Sequence, residues 1–246
     1  MMTTDLPAPA PAPAAPKPNG FQRILGVLFS PNETFESIAR QPDWVVPLVV
    51  ILVVSIVAGI VFAQRVDFTA AVREQMESRN LPQDQIDRAV RITAAASKII
   101  SYVSPVLSLL FLLIIAAILL LAFRLFGGEG DFRQAFSVTN YAWMPGVLKS
   151  IILTALVAAR GASATELPTL LRSNLAFLTS MKTNLLLFTL LSKIDVFTIW
   201  LLALFIIGFA SVAKFTKAKS AAIVISLWVV ATLVSLIGPA IQTLQK

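Results

Sequence analysis

The chain contains no cysteine and no histidine. Disulfides, thiolate metal sites and imidazole metal sites are therefore excluded within it, and so is acid–base chemistry run by an imidazole. Charge is scarce as well: Asp, Glu, Lys and Arg make up 13% of the residues, against roughly a quarter in an ordinary soluble domain. The net charge is +7, but the basic residues are scattered over several loops. None of those loops resembles a nucleic-acid groove, which leaves anionic lipid headgroups as the expected counter-charge and no nucleic acid as partner. The first twenty residues lack the features of a signal peptide: an acid at Asp5, no base before Lys17 and no apolar core. With six prolines by position 18, residues 1–20 are expected to form an extended tail. Nothing in the composition calls for a cofactor or a metal.

What the chain has is hydrocarbon. It is 57% hydrophobic, with a mean hydropathy of +0.82, and several of its apolar runs approach or reach the roughly 20 residues needed to cross a bilayer core. The expected fold is all-α: a polytopic five-helix transmembrane bundle with spans at about 44–63, 102–123, 136–159, 196–213 and 221–241. A sixth apolar stretch, 175–191, is broken centrally by polar residues and reads as interfacial helix. Residues 21–44 read as two short helices in the membrane interface, with Phe21, Ile24, Leu25 and Leu28 striping the first beside Arg23. In the second, Ser30 is the expected N-cap, Pro31 the first helical residue and Glu33 the other half of a capping box. Trp44 follows at the level of an interfacial aromatic. Between spans one and two, the stretch 64–101 reads as a helical hairpin standing off the membrane, broken at Leu81-Pro82. Basic residues do not settle orientation by count. The turn KFTKAKS, with three lysines and no acid in seven residues, places the N-terminus in the cytoplasm and the C-terminus outside.

After span two the chain reads FGGEGDFRQAFSVTNYAWMPG. Gly127, Gly128 and Gly130 permit a sharp turn between antiparallel spans. Asp131 is the expected N-cap of the next helix, with Gln134 completing a capping box, and Phe132 and Phe136 return the chain to lipid. Pro145 kinks span three just after Tyr141. Lys149 is the one charge near the middle of a span, at a cost of roughly 2.5–3.5 kcal/mol on the insertion scale. Its expected partner is Asp195 or a backbone carbonyl at the kink; otherwise it snorkels. Asp195 opens span four as a helix cap, and Gly208 and Gly238 are expected at close helix contacts.

The pattern GG-E-G-DF-RQ-AF-x-V-x-x-YA-x-x-P, from Gly127 to Pro145, resembles the signature of YIP-family membrane proteins, the Ypt/Rab-GTPase-interacting proteins and their bacterial relatives. Two further pieces agree in order. The entry segment, with Pro31, Trp44 and Pro47, is similar to the family's stretch before span one. Asp195, Trp200 and Gly208 fall where its span four carries similar residues. The resemblance covers about 21–242 and makes 21–246 a YIP-like transmembrane domain. It implies five spans, a cytoplasmic N-terminus and a bundle with no catalytic centre and no cofactor. It also implies work as a scaffold or adaptor in membrane organisation or trafficking, in contact with membrane proteins, further copies of the chain or lipid. The trafficking members carry a DLYGP-type motif where this chain has PDWVVP, so Rab-type GTPase binding is not carried over. The long hairpin is that of bacterial relatives, which points to a bacterial inner membrane. Two other classes compete. A small transporter or channel lacks carboxylates within any span, and an intramembrane enzyme lacks a paired Ser–Lys or Asp–Asp constellation.

Overall fold

The computed structural model describes residues 19–181 and 183–244. Most of the expected tail, 1–18, and Lys182 lie outside them. The chain opens with two short helices, α1 (Gly20–Phe29) and α2 (Pro31–Arg40), joined through Ser30 alone. The first span is α3 (Val45–Arg65), followed by a two-residue strand β1 (Val66–Asp67). The hairpin is α4 (Ala70–Ser78) turning into α5 (Gln83–Leu125), and α5 carries its second arm and span two as one helix of 43 residues. Span three is α6 (Phe132–Ala142) and α7 (Met144–Arg160), after which β2 (Ala162–Ser163) pairs in parallel with β1. A short α8 (Leu167–Leu170), a 3-10 turn at Leu175–Leu178 and α9 (Leu185–Lys193) lead to spans four and five, α10 (Val196–Ala213) and α11 (Lys217–Leu244).

Among the described residues, five stretches are long and apolar enough to cross a membrane, and the chain is a polytopic all-α bundle. Stretch 175–191 is divided between the 3-10 turn and the nine-residue α9. Neither piece has the length of a span. Helix α5 packs along α3 and α6, α3 also packs on α7, and α10 lies against α2, α6, α7 and α11. The core runs through the middle of this assembly with Phe35, Leu112, Phe123, Val138, Tyr141 and Phe209 buried. Outward-facing positions such as Val49, Val53, Ile114 and Val230 remain exposed. An apolar exterior is what a hydrocarbon solvent requires, since burial against protein gains little over burial in lipid tails.

The bundle has two distinct ends. One gathers α1, α2, the turn 126–131 and the turn between α10 and α11, tied by Gln134 Nε2 donating to Ala39 O (2.7 Å) and Glu129 N donating to Ala213 O (3.2 Å). The other holds the hairpin base and residues 161–195, tied by the β1–β2 pair.

One expectation at the entry helices differs from the structure. Ser30 makes no side-chain cap bond, because it serves as C-cap of α1 and N-cap of α2 at once. Its N–H is committed to Gly26 O (2.7 Å) and its φ/ψ of −137°/60° is not the usual extended cap conformation. The capping box lies one helix earlier, where Asn19 and Gln22 exchange side-chain-to-backbone bonds of 2.9 Å. The apolar stripe of α1 is shared between two faces: Phe21, Leu25 and Phe29 face outward, Ile24 and Leu28 pack against the core, and Gly20, Arg23 and Val27 are buried toward the bundle.

Candidate functional site

The turn after α5 has the geometry its glycines require. Gly127 (φ 82°) and Gly130 (φ 107°) both occupy the left-handed region, and a Cβ at Gly130 would also strike Val212. Gly128 donates to Phe123 O (2.9 Å). Asp131 accepts from Gln134 N (2.8 Å), and Gln134 Oε1 accepts from Asp131 N (3.0 Å), so the predicted capping box is present. Phe132 stacks on Phe136 at 5.9 Å, and Trp44 leans on Phe136 at 5.6 Å. Trp44 therefore joins the protein's own aromatic cluster at the end of α3. Asp43 caps the same end by accepting from Val45 N (3.1 Å), which leaves Pro47 buried in the first turn, where its missing N–H costs little.

Span three breaks at Trp143, with Pro145 in the first turn of α7. The polar residues before the break satisfy their own helix: Asn140 Nδ2 donates to Phe136 O and Thr139 Oγ1 to Ala135 O. Tyr141 is fully buried, and its hydroxyl has no hydrogen-bond partner among the described residues. Arg23, which the sequence places beside the α1 stripe, has a role that the sequence did not assign. Its guanidinium is buried and donates to Gln41 O (2.8 Å) and Ser37 Oγ (3.4 Å), locking α1 to the end of α2. A lone arginine opposite an apolar stripe was the available signal.

The charge inside span three is paired. Lys149 Nζ donates to Asp195 Oδ2 at 2.9 Å, with the lysine side chain 33% exposed and the carboxylate 1% exposed. Asp195 caps α10 as predicted, its Oδ1 accepting from Phe197 N (2.9 Å) and Thr198 N (3.2 Å). Ser173 Oγ donates to Oδ2 as well. An antiparallel bridge, Val196 N to Ser173 O and Leu175 N to Ile194 O, brings Ser173 there. Burial pushes the Asp195 pKa up, but the bonds from Ser173 and Lys149 outweigh it and hold the carboxyl below its ordinary value. Ser173 lies in a loop far from Asp195 in sequence and carried no local signal.

Of the remaining motif residues, Pro31 begins α2 and Trp200 packs at the edge of the core. Gly208 lies against Val138 and Phe35, so small size is needed there. Gly238 meets nothing within 4 Å, and its expected close contact is not made among the described residues. The tight crossing is instead at Gly59, where a Cβ would strike Ser101 O. That seam continues with Ser55 Oγ to Ser108 Oγ (3.0 Å) and Ser104 Oγ to Ser55 O (3.1 Å).

The family model of the Yip1 domain matches residues 25–238. No curated protein and no solved structure matches the chain. The matched stretch runs from the middle of α1 to the last turns of α11 and takes in the entry helices, the glycine turn with its capped α6, and the Lys149–Asp195 lock. The chain belongs to the Yip1 domain family of multi-pass membrane proteins.

Proposed function

We propose that this protein is a non-enzymatic scaffold or adaptor of YIP type, acting through contacts with a membrane-protein partner, a further copy of itself or lipid. The reading further assigns it to a bacterial inner membrane, with the N-terminus cytoplasmic and the C-terminus outside. The observation that carries the adaptor role is the projecting arm. At 1.5 Å per residue, the 43 residues of α5 span about 64 Å, whereas a bilayer core is about 30 Å thick. Roughly half of the helix therefore stands outside the hydrocarbon, braced by α4. It shows exposed side chains such as Ile92, 60% exposed. A rod of this kind offers surface rather than a reaction site. The Lys149–Asp195 lock supports the same reading, because the one intramembrane charge is committed to holding α7 against the start of α10.

The test is photo-crosslinking in membranes from positions on the arm (Ile92), the entry segment (Phe29) and the turn (Glu129). Adducts with defined membrane partners or with a second copy, from at least one of these surfaces, are expected. If none of the three yields a protein or lipid adduct above a lipid-facing control at Val230, the adaptor reading fails.

A transporter draws on a different observation. A cavity of about 400 Å³ between α3, α5 and α7 is lined by Ser55, Ser104, Ser108 and Ser150 beside Trp143. Solute flux in liposomes that Lys149→Ala abolishes would move that reading to the front.

A further inference from the structure

A second recess, of about 410 Å³, lies where α3, α5 and α6 meet. Its walls are Trp44 and Leu48 from the start of α3, Leu109 and Leu113 from the transmembrane part of α5, and Phe132 and Phe136 from α6. The one charged residue lining it is Arg133. The groove thus extends from the end of α6 that carries the turn 126–131 into the depth of span two. All its walls but one are hydrocarbon or aromatic ring, with Trp44, Phe136 and Phe132 forming a continuous aromatic side.

Arg133 is exposed, and among the described residues its guanidinium makes no hydrogen bond and no ion pair. The nearest acid in sequence, Asp131, is committed elsewhere, its carboxylate accepting from Gln134 N. An unpaired cation at the lip of an apolar groove has one natural complement at a membrane surface. That complement is a molecule with a phosphate at the headgroup level and a hydrocarbon chain below it. The guanidinium matches phosphate in geometry as well as in charge, and the chain's net charge of +7 favours an anionic lipid over a zwitterionic one.

We propose that this groove is a binding site for an anionic phospholipid, with an acyl chain against Leu48, Leu109, Leu113 and Phe136 and the phosphate on Arg133. The site stands apart from the adaptor reading and survives its failure. Trp44 closes the upper side, where an indole is at home between chain and headgroup.

Native mass spectrometry of the full chain, released from mixed micelles with equal phosphatidylglycerol and phosphatidylcholine, tests it. Retained phosphatidylglycerol is expected to exceed phosphatidylcholine by about five-fold, the factor that one interfacial arginine supplies. In Arg133→Gln that preference falls to near unity while phosphatidylcholine retention stays as it was. In Arg133→Lys most of the preference returns. Leu113→Trp, which fills the groove, lowers retention of both lipids and is compared at equal thermal stability with Leu121→Trp, on the outward lipid face. Equal retention of the two lipids by the wild-type chain, or an Arg133→Gln preference unchanged from wild type, overturns the proposal. So does a Leu113→Trp variant that keeps its lipid but changes its oligomeric state, because the groove would then hold a second copy.

Discussion

A lysine inside a membrane span is expensive alone and tolerable when paired. In this protein one carboxylate does three things: it neutralises Lys149, caps α10 and accepts from Ser173. Removing one partner of such a pair costs more than removing both, because the survivor is left buried without its counter-charge. Lys149→Met is therefore expected to lower stability by about 3 kcal/mol, and Lys149→Met with Asp195→Asn by less than the single change, as read by reversible unfolding in mixed micelles. Acid titration checks the same pair. The Asp195 pKa is lowered below the ordinary 3.8, so its contribution is fully present above about pH 4 and is lost as pH falls through the lowered folded value. That loss is expected in the wild type and absent from the step seen in Asp195→Asn. A larger acid loss in Asp195→Asn than in wild type would show that the pair is not the titrating group.

At the scale of elements, the informative pair is α3 with α5. Pro105 lies inside α5 and cannot donate to the carbonyl four residues back, that of Ser101. Gly59 of α3 comes closest to that same oxygen. A proline that frees a carbonyl and a glycine that lets a neighbouring backbone approach it form one device, extended by the Ser55–Ser108 and Ser104–Ser55 bonds. Gly59→Leu is expected to separate the helices and to lower the unfolding temperature markedly, whereas Gly238→Leu, which meets nothing within 4 Å, is expected to leave it within error. Equal effects from the two would mean that the seam is not the tight contact in the bundle. The sequence reading placed the close packing at Gly208 and Gly238 and so found one of the two contacts. A glycine's spacing says that a close approach is permitted, not which helix arrives there.

At the scale of the molecule, five crossings put the two ends of the bundle on opposite sides. The entry helices, the turn 126–131 and the turn after α10 share one end, where Lys214 pairs with Glu129 (2.6 Å) and Lys219 Nζ reaches Phe126 O (2.8 Å). The hairpin and residues 161–195 share the other. A reporter inserted at Asn80 and one fused after Lys246 are expected on the same side of the membrane, opposite to a reporter at Glu129. If the Asn80 and Lys246 reporters fall on opposite sides, the count of five crossings is wrong. The projecting half of α5 gives this shape its reach. It was legible only in part, since the hairpin's second arm and span two read as separate elements. The join lies near Tyr102, where polar periodicity gives way to continuous apolar sequence, and a helix passes through such a change without breaking.

The amino-acid sequence alone determined the class, the spans and the caps at Asp131 and Asp195. Uninterrupted apolar runs have no stable alternative to a transmembrane helix, and the positive φ angles at Gly127 and Gly130, like the Asp131–Gln134 box, are set by residues a few positions apart. The tertiary structure decided how α1 divides its stripe between the core and the outside, that Lys149 meets Asp195 rather than a carbonyl at the kink, what fills the space beside Gly59, and that Arg133 ends a groove. Each of these depends on residues distant in sequence being brought together. In an apolar chain, hydrophobic pattern barely separates the face toward protein from the face toward lipid, because both are hydrocarbon. Only shape, the few polar pairs and the close backbone contacts choose between them.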